Sequence, residues 1–248
     1  PSYGGAMYLE NIVFDAADPQ RLGRFWEAAV GGEQLTDASG IYETRMTVEG
    51  GPVLDLCFQQ VQEPATVKPR LHLDLAGGAR QAEVVERLLA LGARHLDLGQ
   101  HRGDGVPWVV LADPEGNACC VMEERASYVG TGPVAALPLD SADPERDADL
   151  WSWLTGWTDV DALAPRALQH PSGRGPLLEL LPEESPQAEA KNRVHLDVRL
   201  EAGDDPDAVA AGIAERGGRE VHRDWGDLPW RLYQDGSGND FCVLPARD

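Results

Sequence analysis

The chain has 248 residues, 42% hydrophobic and 25% charged, with 42 Asp and Glu against 21 Lys and Arg and a formal charge of −21. That is globular composition, long enough for one large domain or two ordinary ones. It argues against nucleic acid as a partner, because displacing counterions from phosphates needs a basic face. The acidity is spread over both halves, as on a solvated surface.

No apolar run approaches the roughly 20 residues that span a bilayer, so no membrane partner is expected. Pro1 to Ala6 read as an expression remnant, with Met7 as a plausible start, and no basic-then-apolar leader follows. Cys57, Cys119, Cys120 and Cys242 lack disulfide-framework spacing and read as reduced thiols of a cytoplasmic protein.

In chain order, Met7 to Asp15 is a short apolar strand. Asp18-Pro19 then opens a helix, with an acidic cap and proline in its first turn. Leu22, Phe25, Trp26 and Ala29 form its apolar face, and Gly31-Gly32 stops it. Two or three strands follow through Phe58. Leu71 to Leu75 is a further strand, and Val84, Leu88, Leu89 and Leu91 mark a second helix that ends at Gly92. Trp108–Leu111 and Ala118–Met122 complete the first half as strands, a βαβββ order given twice.

The same order recurs from 133 to 245. Phe14-Asp-Ala-Ala-Asp-Pro-Gln-Arg and Phe25-Trp26 match Leu139-Asp-Ser-Ala-Asp-Pro-Glu-Arg and Leu150-Trp151. Lys68-Pro-Arg-Leu-His72-Leu-Asp74 matches Lys191-Asn-Arg-Val-His195-Leu-Asp197, and these two lysines are the only ones in the protein. His101 with Trp108 matches His222 with Trp230. Asp113-Pro-Glu-Gly-Asn117 matches Asp235-Gly-Ser-Gly-Asn239. Ordered matches at nearly constant offset indicate a duplication. Two domains, 7–125 and 132–246, are expected, joined by a linker at 126–132.

Asp18-Pro-Gln-Arg-Leu with Phe25-Trp26, Arg70-Leu-His72-Leu-Asp74 and Asp113-Pro-Glu-Gly-Asn117 resemble the vicinal oxygen chelate superfamily. The glyoxalase-like and bleomycin-resistance-like domains are the nearest resemblance, and dioxygenases also belong to that superfamily. The resemblance covers the whole chain. It implies an α+β fold of two tandem domains, each of paired βαβββ units forming an incomplete barrel around a cavity. It also implies metal-ligand positions on the first and last strand of each unit. By that counting the first copy offers Asn11, Asp55, His72 and Cys120, with Cys where the family usually has Glu. The second copy offers Ala136, Glu179, His195 and Cys242.

Asp55, His72 and Cys120 are ordinary zinc ligands and leave a coordination position open. One histidine per site is too few for an iron dioxygenase's facial triad. His72 and Asp74 share a strand face and could act as catalytic base and orienter. His101, Trp108, His222 and Trp230 could line a cavity mouth and stack on a planar ligand. Arg70 and Arg193 could meet an anionic ligand or lie on the surface. Trp26 and Trp151 read as core, and Asn117 and Asn239 as turn residues tolerating left-handed geometry.

With two usual ligand positions lost, the leading expectation is a metal-independent protein that binds a small molecule, a metabolite or an antibiotic. No cofactor is favoured. The alternative is a metal-dependent glyoxalase-like lyase or isomerase, in which a divalent metal such as zinc polarises a carbonyl and stabilises an enediolate. The first copy is expected to keep any ancestral site. Because single-copy relatives pair as dimers, a fused tandem is expected to be a monomer with intramolecular domain pairing.

Overall fold

The computed structural model describes residues 7–62, 69–97, 105–183, 191–223 and 226–247. Four βαβββ units follow one another. The first holds β1 (Tyr8–Ala16), α1 (Pro19–Val30), β2 (Glu33–Ala38), β3 (Ile41–Thr47) and β4 (Val53–Gln60). The second holds β5 (Leu73–Ala76), α2 (Gln81–Leu91), β6 (Arg94–His95), β7 (Val109–Ala112) and β8 (Ala118–Met122). The third holds β9 (Val134–Ser141), α3 (Pro144–Thr155), β10 (Thr158–Asp159), β11 (Arg166–Gln169) and β12 (Leu177–Pro182). The fourth holds β13 (Val194–Arg199), α4 (Pro206–Glu215), β14 (Arg219–Glu220), β15 (Arg231–Gln234) and β16 (Asp240–Leu244).

The expected local signals operate. The Asp18 carboxylate accepts from the Arg21 N–H, and Gly31 closes α1 at a φ of 68° that a Cβ would oppose. Asp143 caps α3 in the same way. On α2 Val85 and Leu88 are buried and Val84 and Leu89 pack half-buried against the core, while Leu91 is exposed. Trp26 and Trp151 are buried, and their indole N–H groups donate to Asp113 and Asp235 at 3.0 and 3.2 Å. Those carboxylates also accept from the backbone and side chain of Asn117 and Asn239. The left-handed positions of the two turns are Gly116 and Gly238, not the asparagines.

The strands form two open, mixed eight-stranded sheets. The first, sheet A, runs β14-β15-β16-β13-β1-β4-β3-β2, and the second, sheet B, runs β10-β11-β12-β9-β5-β8-β7-β6. Each sheet therefore takes one unit from each repeat. Their central joints are antiparallel: β1 on β13, with Val13 opposite His195, and β5 on β9, with Asp74 opposite Ala136. Arg70 is buried and Arg193 half-buried, and each reaches across to the other repeat. Arg70, buried, donates to Asn239 Oδ1 at 2.7 Å and to the Asp140 and Ser237 carbonyls, all in the other repeat. Arg193 reciprocates on Glu115.

Strand alternation separates core from cavity. Ile12, Phe14, Leu54, Leu56, Phe58, Leu196 and Phe241 enter a continuous apolar core shared by all four units. Asn11, Val13, Asp15, Cys57, His195, Asp197 and Cys242 point the other way. The expected linker is itself packed: Thr131 is buried and donates to the Tyr128 carbonyl, and the Gly175 N–H donates to the Gly130 carbonyl. Among the described residues no helix is long and apolar enough to cross a membrane.

Candidate metal centres

Because units pair across the repeats, the expected ligand positions are re-sorted. Asn11, Asp55, His195 and Cys242 fall on sheet A; Ala136, Glu179 and Cys120 fall on sheet B, with His72 immediately before its strand β5. Asp55 therefore does not join His72 and Cys120. It is held instead by both nitrogens of the Arg45 fork, at 2.8 Å each.

On sheet A, β13 turns His195 and Asp197 to one face, and the parallel neighbour β16 sets Cys242 opposite Asp197. His195 Nε2 lies 3.4 Å from Asp197 Oδ1 and 3.7 Å from Cys242 Sγ. Asn11 donates its amide to Asp197 Oδ2 at 3.1 Å. Burial pushes the Cys242 thiol well up, and the Asp197 carboxylate adds to the effect. These side chains line a cavity of about 710 Å³, walled by both repeats, which Trp230 also lines. His222 is exposed and is not among its lining residues.

Sheet B repeats the arrangement. His72 Nε2 lies 3.3 Å from Asp74 Oδ1, and β8 sets Cys120 opposite Asp74. Burial, then Asp74, raises the Cys120 thiol. Glu179 on β12 is pushed up to about 7, first by burial and then by repulsion from Asp74. The Tyr128 hydroxyl, supplied by the segment between the repeats, lies 3.4 Å from Glu179. Arg125 sits between the Tyr128 and Trp108 rings, 5.2 and 5.7 Å from their centroids, and both rings pack near Cys120. His101 lies outside the described residues.

In each group the imidazole, carboxylate and thiol donor atoms all lie within 4.8 Å of one another. Asp74 Oδ1, Asp197 Oδ1 and His195 Nδ1 are buried without a hydrogen-bond partner. A desolvated carboxylate left so is costly, and a deprotonated thiol beside it would be costlier still. A divalent cation relieves both, and the donor set is ordinary for zinc. The residues fit a metal. The expectation of a metal-independent binding protein is thereby corrected, and the divalent metal that the sequence left open has two donor groups able to take it. The carboxylates of the two groups are Asp74, which the sequence offered as an orienter, and its counterpart Asp197. Tyr128 and Glu43, a further cavity residue, went unnoticed. Alternation in Ile41–Thr47 was the available signal for Glu43.

The glyoxalase-like domain family matches residues 11–122 and again 136–244. Glyoxalase I from Zea mays superposes with a TM-score of 0.63 at 16% identity, over 96% of this chain and 92% of that one. A point mutant of the same maize enzyme gives 0.65 at 15% identity, over 97% and 94%. A Bacillus subtilis strain 168 protein gives 0.61 at 17%, over 98% and 86%. At such identities the likeness is one of fold. No protein of curated function matches the chain.

Proposed function

The chain belongs to the glyoxalase-like domain family, and from that premise we propose that it is a metal-dependent lyase or isomerase acting on a carbonyl substrate. The observation that carries this reading is the convergence of His195, Asp197 and Cys242 on the wall of a roomy cavity. Three protein donors leave a coordination position free, the arrangement of catalytic rather than structural centres. A bound divalent ion would supply Lewis acidity toward the substrate's carbonyl oxygen. The chain's own residues do the rest. Asn11 fixes one oxygen of Asp197, leaving the other to face His195. Trp230, Leu232 and Leu244 give the cavity an apolar wall that limits water around a bound substrate.

Elemental analysis of protein purified without chelator or a metal-affinity tag tests this. Near-stoichiometric transition metal is expected. His195→Ala and Cys242→Ser should each lower its affinity at least tenfold, read by competition with a chromophoric chelator. A folded, metal-free protein that takes up no zinc would sink the reading.

The four cysteines are free and buried, which supports a reducing compartment such as the cytoplasm. Pairing of units between repeats within one chain supports a monomer. A dominant dimer in light scattering would count against it.

A further inference from the structure

The charges lining the sheet A cavity sort into pairs, with one exception. Asp15 holds the Lys191 ammonium at 2.6 and 2.7 Å. Asp240 receives Arg223 at 3.3 Å, the Asn192 N–H and the Gln234 amide. Arg199 is bound by Glu10. Asp197 belongs to the donor group.

Glu43 remains. It lines the same cavity, half-buried, and accepts from the Thr36 hydroxyl at 2.5 Å, with Cys57 opposite it on β4. Among the described residues no ion pair reaches it, and its acceptor capacity is unfilled. A partly desolvated carboxylate with no cation is a site waiting for one.

Register fixes how far it stands from the donor group. His195, Val13, Cys57 and Glu43 lie opposite one another on β13, β1, β4 and β3. Three interstrand steps of ~4.8 Å separate the ends of that row by roughly 14 Å, a span that sheet curvature shortens. Val13 and Cys57 occupy the interval, and Ile41, Leu228 and Trp230 also line the cavity. A ligand with an apolar body would fit between.

We propose that Glu43 determines specificity by binding a cationic group, an ammonium on an apolar body, whose far end reaches His195, Asp197 and Cys242. A carboxylate in that place would face Glu43 directly, and both lining cations are already committed to acids. The proposal rests on reading the cavity as the substrate site, but its test does not require turnover.

Calorimetric titration of the full chain, with and without bound zinc, would compare phenethylamine with 3-phenylpropionate, similar bodies of opposite charge. The amine should bind at least tenfold tighter. Glu43→Gln, which keeps the Thr36 contact, should weaken the amine roughly ten- to a hundredfold. Glu43→Asp should retain part of the preference. Melting temperature and zinc content of each variant should match the parent. Equal binding of the two probes, no binding of the amine, or an unaffected Gln variant would overturn the proposal. Amine preference in a chain that takes up no zinc would keep it while removing the metal reading. A zinc-loaded chain indifferent to probe charge would do the reverse.

Discussion

Arg70→Ala should destabilise the molecule by about 3 kcal/mol, a large part of an ordinary domain's stability. The buried guanidinium makes three hydrogen bonds, and each acceptor belongs to the opposite repeat. Truncation leaves Asn239 Oδ1 and the Ser237 carbonyl short of a donor, at about 1–3 kcal/mol for each one that water cannot reach, while the Asp140 carbonyl keeps the Asn239 amide. Arg70→Lys should recover little, because a single ammonium cannot span acceptors that a planar fork meets together. Urea unfolding reads this as a lower midpoint at unchanged slope. A shift under about 1 kcal/mol would show that the clamp is dispensable.

The second large effect depends on pH. In the metal-free protein Glu179 is held near 7, against an ordinary value of 4.5, mainly by burial. The folded state therefore prefers the protonated acid. The stability this lends is fully present below about pH 4.5 and is lost as pH rises through about 7. Glu179→Gln removes the ionisation while keeping a partner for Tyr128. Above pH 8 the chelator-treated variant should exceed the parent by on the order of 2–3 kcal/mol. Near pH 4 that advantage should vanish. Melting curves of both proteins from pH 4 to 9 decide it; a difference that does not change with pH would refute the assignment. Zinc at His72, Asp74 and Cys120 should flatten the profile, since a nearby cation favours ionised Glu179.

The duplication and the order within each unit were legible because their markers are structural. Asp18 and Asp143 cap helices, and Asp113 and Asp235 each tie a turn to a buried indole. Such groups leave the same short phrase wherever they recur. Of the positions counted from those phrases, Asn11, His195 and Cys242 line the sheet A cavity, and His72 and Cys120 lie together beside sheet B. What could not be read was which unit pairs with which. β1, β5, β9 and β13 all open a unit with similar apolar alternation, so any joint between them satisfies the local pattern. The choice is made by contacts such as Asn11 with Asp197, 186 residues apart. Grouping by copy therefore put Asp55 with His72, although Asp55 is spoken for by Arg45. Asp74 was read as a support for histidine because spacing shows a shared face, not whether an oxygen is left without a partner.

The strands of sheet B occupy one uninterrupted stretch from Leu73 to Pro182, whereas sheet A is assembled from the two ends of the chain around it. This nesting sets a timetable for biosynthesis. The last strand of sheet B is translated before any of β13 to β16. Until those strands follow, β1 must wait with an open edge, because its partner β13 arrives late and closes a very long loop. Nascent chains stalled once residue 182 has cleared the exit tunnel should already carry the inner sheet, and the chamber over sheet A forms only after β13 to β16 have followed.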